Sequence, residues 1–502
     1  MRFANLPAMP KHSSSVVSER ALAFVRLWWC APLFCAIFCL GMFASMPTYA
    51  SPDATTHLAT AWYDIHHVLP TQQRYDHIVA GYNDPTPCFA FNEVATAKCI
   101  QAPGVVDVYS SKQQITNYPP PFYWVLGVGE LLVGPGNPGL GGDVARCLGM
   151  VACLALLLLA ARKLFHAKER GAIWALYLLT PPMAAFLIAG GNPNGWEIVC
   201  ALYFTTTLLV HKEEILGQRL GLRSMASISI AGLLVATARS SSAAWLIMIF
   251  VVFAIWFRVW RLRRSRLLLT ATVIPGVAFG LVWNVLFPAV VKAGQPVSGM
   301  SIGSFFSYLA LSFQDLSVKF AEPWGVLGWL DTWPSEIVVI GVVIALLYFL
   351  PVYAPTRRHR ALLVAIIAMV FLSSASLEAI GWSSWVGWWQ GRYSLVPLVG
   401  LSLLLFSNPG RREPSGLFAL AAWMTLGNVY MVCLNYWRYA YGVANGFPSQ
   451  MRINEYGSPI MIYSIAVVML LMSAVLFVAD RAYRVERNEV TATDLYEKTL
   501  LS

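Results

Sequence analysis

Charge is what this chain has least of: only 12% of its 502 residues are Asp, Glu, Lys or Arg, against 57% hydrophobic ones. A soluble protein of this length could not cover its surface with so little polar material, so a water-soluble globular class is excluded and lipid is the expected solvent. No internal repeat, low-complexity tract or Pro/Ser-rich linker marks a second folded domain. The histidines of the first long polar segment, His57, His66, His67 and His77, lack the tight spacing with carboxylates that a metal site needs, and no metal or cofactor is expected. The net charge of +10 does not signal nucleic-acid binding, because the basic residues are dispersed among short loops and not gathered on one soluble face.

What is abundant is apolar sequence. Runs such as Leu27 to Phe43, Met225 to Ala238, Ala243 to Trp256, Ile337 to Leu350 and Ile460 to Phe477 recur along the chain, the longer ones suiting a bilayer core of ~30 Å. Basic clusters lie at the N-terminus, at Arg162 to Arg170, Lys212 to Arg223, Arg258 to Arg266, Arg357 to Arg360, Arg411 to Arg412 and Arg481 to Arg487. Placed in the cytoplasm, they leave room for two spans between neighbours. The expected fold is therefore all-α and integral to a membrane, with about twelve transmembrane helices and both ends inside. The expected boundaries are a cytoplasmic segment 1–25, a polytopic domain 26–480 and a cytoplasmic tail 481–502. Thr48-Tyr49-Ala50 resembles a signal-peptide cleavage site, but the apolar stretch before it is longer than a signal peptide's and favours a retained anchor.

The outward segments hold the unusual residues. A large first outer loop, about 47–142, is too long to be a simple connection. In it Asp53, His57 and Asp64 fall near one face of a helix, and Asn117-Tyr118-Pro119-Pro120-Pro121 joins a rigid turn to an aromatic stretch. Cys88 and Cys99 are the only cysteines in predicted external loops and are candidates for a disulfide, two free thiols being the alternative. A carboxylate at the membrane boundary such as Asp53 can accept a proton from an acceptor hydroxyl, although a plain helix cap is the competing reading. Gly190-Gly191-Asn192-Pro193-Asn194-Gly195 breaks the chain between spans and reads equally as a hairpin turn. Trp324 to Pro334 is rich in tryptophan and includes Asp331, which membrane anchoring does not explain. Trp382, Trp385, Trp388 and Trp389 lead into Gln390-Gly391-Arg392-Tyr393, and Arg239 heads another polar tip. A guanidinium fork suits phosphate oxygens, and indole faces suit sugars or prenyl chains; a snorkelling arginine under an aromatic belt is the alternative.

Taken in order, Ser51-Pro52-Asp53 with His57, Tyr118-Pro119-Pro120, Thr180-Pro181-Pro182-Met183, Asn192-Pro193-Asn194-Gly195, Gly328-Trp329-Leu330-Asp331 and Gln390-Gly391-Arg392-Tyr393 resemble the bacterial membrane proteins called domain of unknown function 2142, from about Ala50 to Pro397. That family is similar to the C-type glycosyltransferases, so the resemblance implies a polyprenyl-phosphate sugar donor and an acidic residue in the first outer loop, here Asp53. The family's pattern has further acidic residues where this chain carries Ala54 and Asn194, which argues against a metal. The resulting expectation, in the bacterial inner membrane that the resemblance implies, is transfer of a sugar at the outer leaflet to an envelope glycan, lipid or protein. Asp53 is the base, Arg392 with Arg239 binds phosphate, and Tyr118, Trp388 and Tyr393 line the pocket. His57, Asn192, Asn194, Asp331 and Gln390 complete the substrate contacts. A transporter or flippase of lipid-linked glycans and a non-catalytic envelope-assembly scaffold are the alternatives, the first disfavoured because span interiors carry few charges and no symmetry.

Overall fold

The computed structural model describes residues 16–65, 87–101, 118–134, 138–287, scattered positions from 303 to 322, 324–380, 390–407, 416–449 and 458–501. Within them the regular structure is helical, apart from a two-residue hairpin, β1 (Val443–Ala444) with β2 (Phe447–Pro448), and an isolated bridge between Leu327 and Thr332.

In chain order the helices that frame the molecule are α1 (Val16–Val25), α2 (Cys30–Ala44), α3 (Ala54–Ile65), α4 (Pro121–Val133), α5 (Pro138–His166), α6 (Arg170–Leu178), α7 (Pro182–Ala189) and α8 (Pro193–Val210). They continue with α9 (Lys212–Leu216), α10 (Leu222–Ala236), α11 (Ser242–Trp256), α12 (Arg263–Leu286), α13 (Glu336–Tyr348), α14 (Arg357–Ile380), α15 (Gly391–Ser402), α16 (Leu417–Ala440) and α17 (Pro459–Leu501). Four stretches among the described residues are long and apolar enough to cross a bilayer: Gly139–His166, Arg263–Leu286, Leu417–Ala440 and Pro459–Asn488. The number rises to six if the bent pairs α1/α2 (80°) and α6/α7 (75°) each count as one span.

The α6/α7 bend has a local cause. Pro181 and Pro182 donate no backbone hydrogen bond and clash with a preceding helical turn, so α6 ends at Leu178 and α7 restarts with Pro182 in its first turn, where a missing N–H costs nothing. α7 is buried along its whole length. The chain then reverses into α8 through Gly190 and Gly191. Gly191 sits at φ +63, and a Cβ on Gly190 would lie 2.6 Å from the Ser51 Cβ, so glycine lets this turn press against the start of α3.

α1 and α17 meet. Arg26, just after α1, pairs with Glu486 on α17 at 2.8 Å, and its guanidinium lies 5.6 Å from the Tyr483 ring. α17 runs unbroken through position 480, so no structural break marks the expected boundary between transmembrane domain and tail. Of the segment expected to form the first outer loop, α3, α4 and the bridged loop 87–101 are described; Cys88 and Cys99 are disulfide-bonded there. Lys163, near the end of α5, donates to Thr207 and Ser227, which ties α5 to α8 and α10.

Candidate functional site

The site begins at Ser51-Pro52-Asp53, the turn that opens α3. Asp53 sits at φ +59, a left-handed conformation that costs a non-glycine residue of order 1–3 kcal/mol and persists only where its surroundings impose it. Those surroundings are the α7–α8 turn. Asn192 caps α8 by accepting from the Asn194 N–H at 3.0 Å, and its own Nδ2 donates to the Pro52 carbonyl at 2.9 Å. The turn that reads in sequence as a hairpin is thus also the clamp on the residue before Asp53. The backbone carbonyl of Asp53 accepts from His57 N–H at 2.9 Å, starting α3, while its carboxylate accepts from Arg392 Nη2 at 2.7 Å.

Arg392 stands at the first turn of α15. It is 2% exposed, yet two of its donors, Nε and Nη1, have no hydrogen-bond partner among the described residues. Unmet donors on a buried guanidinium cost free energy unless an anion completes them. Arg239, from the tip between α10 and α11, is the second cation. It donates to Asn194 Oδ1 and, at 2.6 Å, to Tyr118 Oη, and its guanidinium lies 5.0 Å from the Tyr118 ring and 4.8 Å from the Tyr393 ring. Arg392 lies 5.1 Å from the same Tyr393 ring, so one tyrosine separates the two cations. Arg239 Nε is also unpartnered among the described residues, as is the buried Oε1 of Gln390 at the N-cap of α15.

Electrostatics sharpen this picture. Burial would raise the Asp53 carboxyl, but the Arg392 guanidinium outweighs it and holds the group below its ordinary value, so Asp53 is ionised near neutral pH. Burial pushes His57 down to about 3; it is therefore a neutral imidazole, hydrogen-bonded through Nδ1 to Tyr123 Oη at 2.9 Å and stacked 6.3 Å from Tyr118. Burial raises the Tyr118 phenol, which stays protonated.

Of the residues expected from the sequence, Asp53, His57, Tyr118, Asn192, Asn194, Arg239, Arg392 and Tyr393 form one bonded or stacked cluster, with Gln390 at its edge. Asp331 is not joined to it: its carboxylate pairs with Arg438 at 2.9 Å. Trp388, like His66, His67 and His77, lies outside the described residues. Two members were missed. Glu197, fully buried one turn into α8, accepts from Ser242 Oγ at 2.5 Å and stands 3.6 Å from Arg239 Nη1; in sequence it is one glutamate in an apolar helix. Tyr123, which bonds His57, lies in the aromatic stretch beyond the Pro119-Pro120-Pro121 turn, where nothing in sequence sets it apart from its neighbours. Among the described residues no three His, Cys, Asp or Glu side chains gather as a metal site; Asp53 and Glu197 face arginines, and Glu322 accepts from the Gly391 N–H at the start of α15.

Apolar space adjoins the cluster. A cavity of about 180 Å³ follows one face of α15 through Leu395, Leu398, Val399 and Ser402, starting one turn past Arg392. It shares Trp324, Leu346 and Met424 with a cavity of about 390 Å³ between α13 and α16.

Residues 35–401 match the family described as predicted membrane protein (DUF2142). No curated protein matches the chain. Among solved structures, ArnT from Cupriavidus metallidurans bound to undecaprenyl phosphate is similar at 16% identity and a TM-score of 0.37, over 88% of this chain and 78% of that one. The apo form of that protein aligns at 15% identity and a TM-score of 0.34, over 85% and 75%. The archaeal oligosaccharyltransferase AglB from Archaeoglobus fulgidus, in complex with an inhibitory peptide and a dolichol-phosphate, aligns at 11% identity and a TM-score of 0.34 over 90% of this chain; the chain spans 55% of AglB.

Proposed function

We propose, for a chain that belongs to the DUF2142 family of predicted membrane proteins, that it is a glycosyltransferase taking a sugar from a polyprenyl-phosphate donor and passing it to an envelope glycan, lipid or protein at the outer leaflet. One observation carries the reading: a buried arginine with two unmet donors is bonded to an ionised aspartate held in a left-handed conformation. Binding sites for anions leave donors open in this way, whereas structural ion pairs use them up.

In this mechanism the donor phosphate occupies Nε and Nη1 of Arg392, with Arg239 as the second cation. Asp53 then shares Arg392 with a competing anion, and its own affinity for a proton rises. The acceptor hydroxyl oxygen attacks the anomeric carbon, the bond from that carbon to the phosphate oxygen breaks, and the electron pair leaves as polyprenyl phosphate. The acceptor proton goes to Asp53. Arg392 and Arg239 offset the charge that grows on the leaving phosphate, an effect that is strong in a site screened from water. Neutral His57, held by Tyr123, lies beside Asp53 without competing for its role. The apolar cavity along α15 suits the prenyl tail.

The proposal includes about twelve spans in the bacterial inner membrane, with both termini cytoplasmic. The Arg26–Glu486 pair supports a shared side for the ends. The test is sugar transfer by purified protein from a panel of radiolabelled polyprenyl-phosphate sugars to envelope extracts, comparing wild type with Asp53→Asn. Transfer by the wild type and its loss in a variant with unchanged thermal melting support the assignment. Full transfer by Asp53→Asn removes Asp53 as the base, and lipid movement across liposomes without covalent change would replace the enzyme by a transporter.

A further inference from the structure

Away from Asp53 the chain carries a second anion-seeking surface that sugar transfer does not use. α11 runs from the Arg239 tip to Trp256, about 20 Å at 1.5 Å per residue, and there the chain turns through five arginines between Arg258 and Arg266. Three more lie between Arg357 and Arg360 at the start of α14, and the two segments are bonded together: Arg358 Nη2 donates to the Trp256 carbonyl, and its guanidinium lies 4.2 Å from the Trp256 ring. All eight guanidinium-bearing residues are exposed, and none forms an ion pair among the described residues. Neither segment contains an aspartate or glutamate. On α9, which packs against α12, Glu214 is already bonded to His211 and Ser224, and Glu213 is exposed.

The helix ends make the charge imbalance worse. α12 and α14, each of 24 residues, both begin in this patch, and neither has an acidic residue in its first turn. A helix start carries unpaired N–H groups and partial positive charge, so carboxylates are favoured there and arginines are the wrong sign. Leu262, the residue before α12, supplies no capping side chain, whereas at the start of α14 Thr356 Oγ1 accepts from the His359 N–H at 3.2 Å, so the unmet N–H groups lie chiefly at α12. Eight cations around two helix starts form a surface completed by an anion from outside the chain. Trp260, 50% exposed with Arg261 stacked 4.8 Å from its ring, places an indole where a headgroup meets the acyl region. Arginine forks grip phosphate oxygens in pairs, and a patch spanning two helix starts can engage two phosphates at once.

We propose that this face binds a lipid headgroup carrying two phosphates, of which diphosphatidylglycerol is the reference compound. The experiment uses the full chain in nanodiscs of phosphatidylcholine alone or with diphosphatidylglycerol, or with phosphatidylglycerol at matched charge. The readouts are thermal unfolding and retention of lipid in native mass spectra. The probe variant is Arg261→Gln/Arg264→Gln/Arg357→Gln, three residues whose side chains donate no hydrogen bond among the described residues. The expected result is a melting temperature several degrees higher with diphosphatidylglycerol than with matched phosphatidylglycerol. The variant should retain the lipid at least tenfold less well while melting like wild type in phosphatidylcholine. Equal stabilisation by both anionic lipids would reduce the patch to diffuse surface charge. Displacement of the lipid by millimolar inorganic phosphate or an acidic peptide would assign it to a soluble anion, and a variant that keeps the full shift would overturn the site.

Discussion

Two Asp–Arg pairs of nearly equal length serve different ends in this molecule. Asp53–Arg392 closes at 2.7 Å and Asp331–Arg438 at 2.9 Å, and distance alone does not rank one above the other. In the second pair both side chains are buried. Arg438 gives its remaining donors to the carbonyls of Ala95 and Phe89, inside the ring closed by the Cys88–Cys99 disulfide, and Thr332 Oγ1 donates to Asp331. Every donor is used, and the pair pins the disulfide-closed loop. In the first pair Asp53 is 47% exposed while Arg392 is buried with donors to spare. Satisfaction of the arginine, and not the strength of the ion pair, separates the structural pair from the candidate functional one.

The contrast can be broken by exchange of partners. Asp53→Asn should lower transfer by about 10²–10⁴-fold, the range of a lost general base, with melting within a few degrees of wild type. Arg438→Met should do the reverse, destabilising the fold by roughly 3–5 kcal/mol because Asp331 is left buried and unpaired, and this is read by thermal unfolding in detergent. If Arg438→Met melts normally but abolishes transfer, the division between the pairs is wrong. Opening the neighbouring ring with Cys88→Ser/Cys99→Ser should cost about 3 kcal/mol of stability and leave the transfer rate of the folded fraction unchanged.

The smallest effect concerns His57. Its pKa falls from an ordinary 6.5 to about 3 in the fold, so between those values the unfolded chain binds a proton that the native chain does not. Native stability therefore declines as pH drops from 6.5 towards 3. His57→Gln should flatten that decline in melting temperature against pH, and an unchanged profile would mean that His57 is not the buried neutral group described here.

Much of this was legible without coordinates. Ser51-Pro52-Asp53, Asn192-Pro193-Asn194 and Gln390-Gly391-Arg392-Tyr393 are polar breaks between apolar runs, so each had to sit near a membrane boundary, and short clamps such as Asn192 on Pro52 follow once they share a side. Asp331 stood out for the same reason and yet belongs with Arg438, because nothing in a linear pattern says which of two arginines a carboxylate will meet. Glu197 was invisible because a buried glutamate differs from a solvated one only by what faces it, here Ser242 and Arg239, 45 and 42 positions away in the chain.

Composition and hydropathy alone determined that this chain lives in lipid as a bundle of helices, because the free energy of burying apolar runs is a sum over residues and needs no partner list. Only the tertiary structure decided which charges are spent and which remain open. Satisfaction of a hydrogen-bond donor depends on one atom lying within about 3 Å of another, and chain segments hundreds of residues apart must meet before that distance exists.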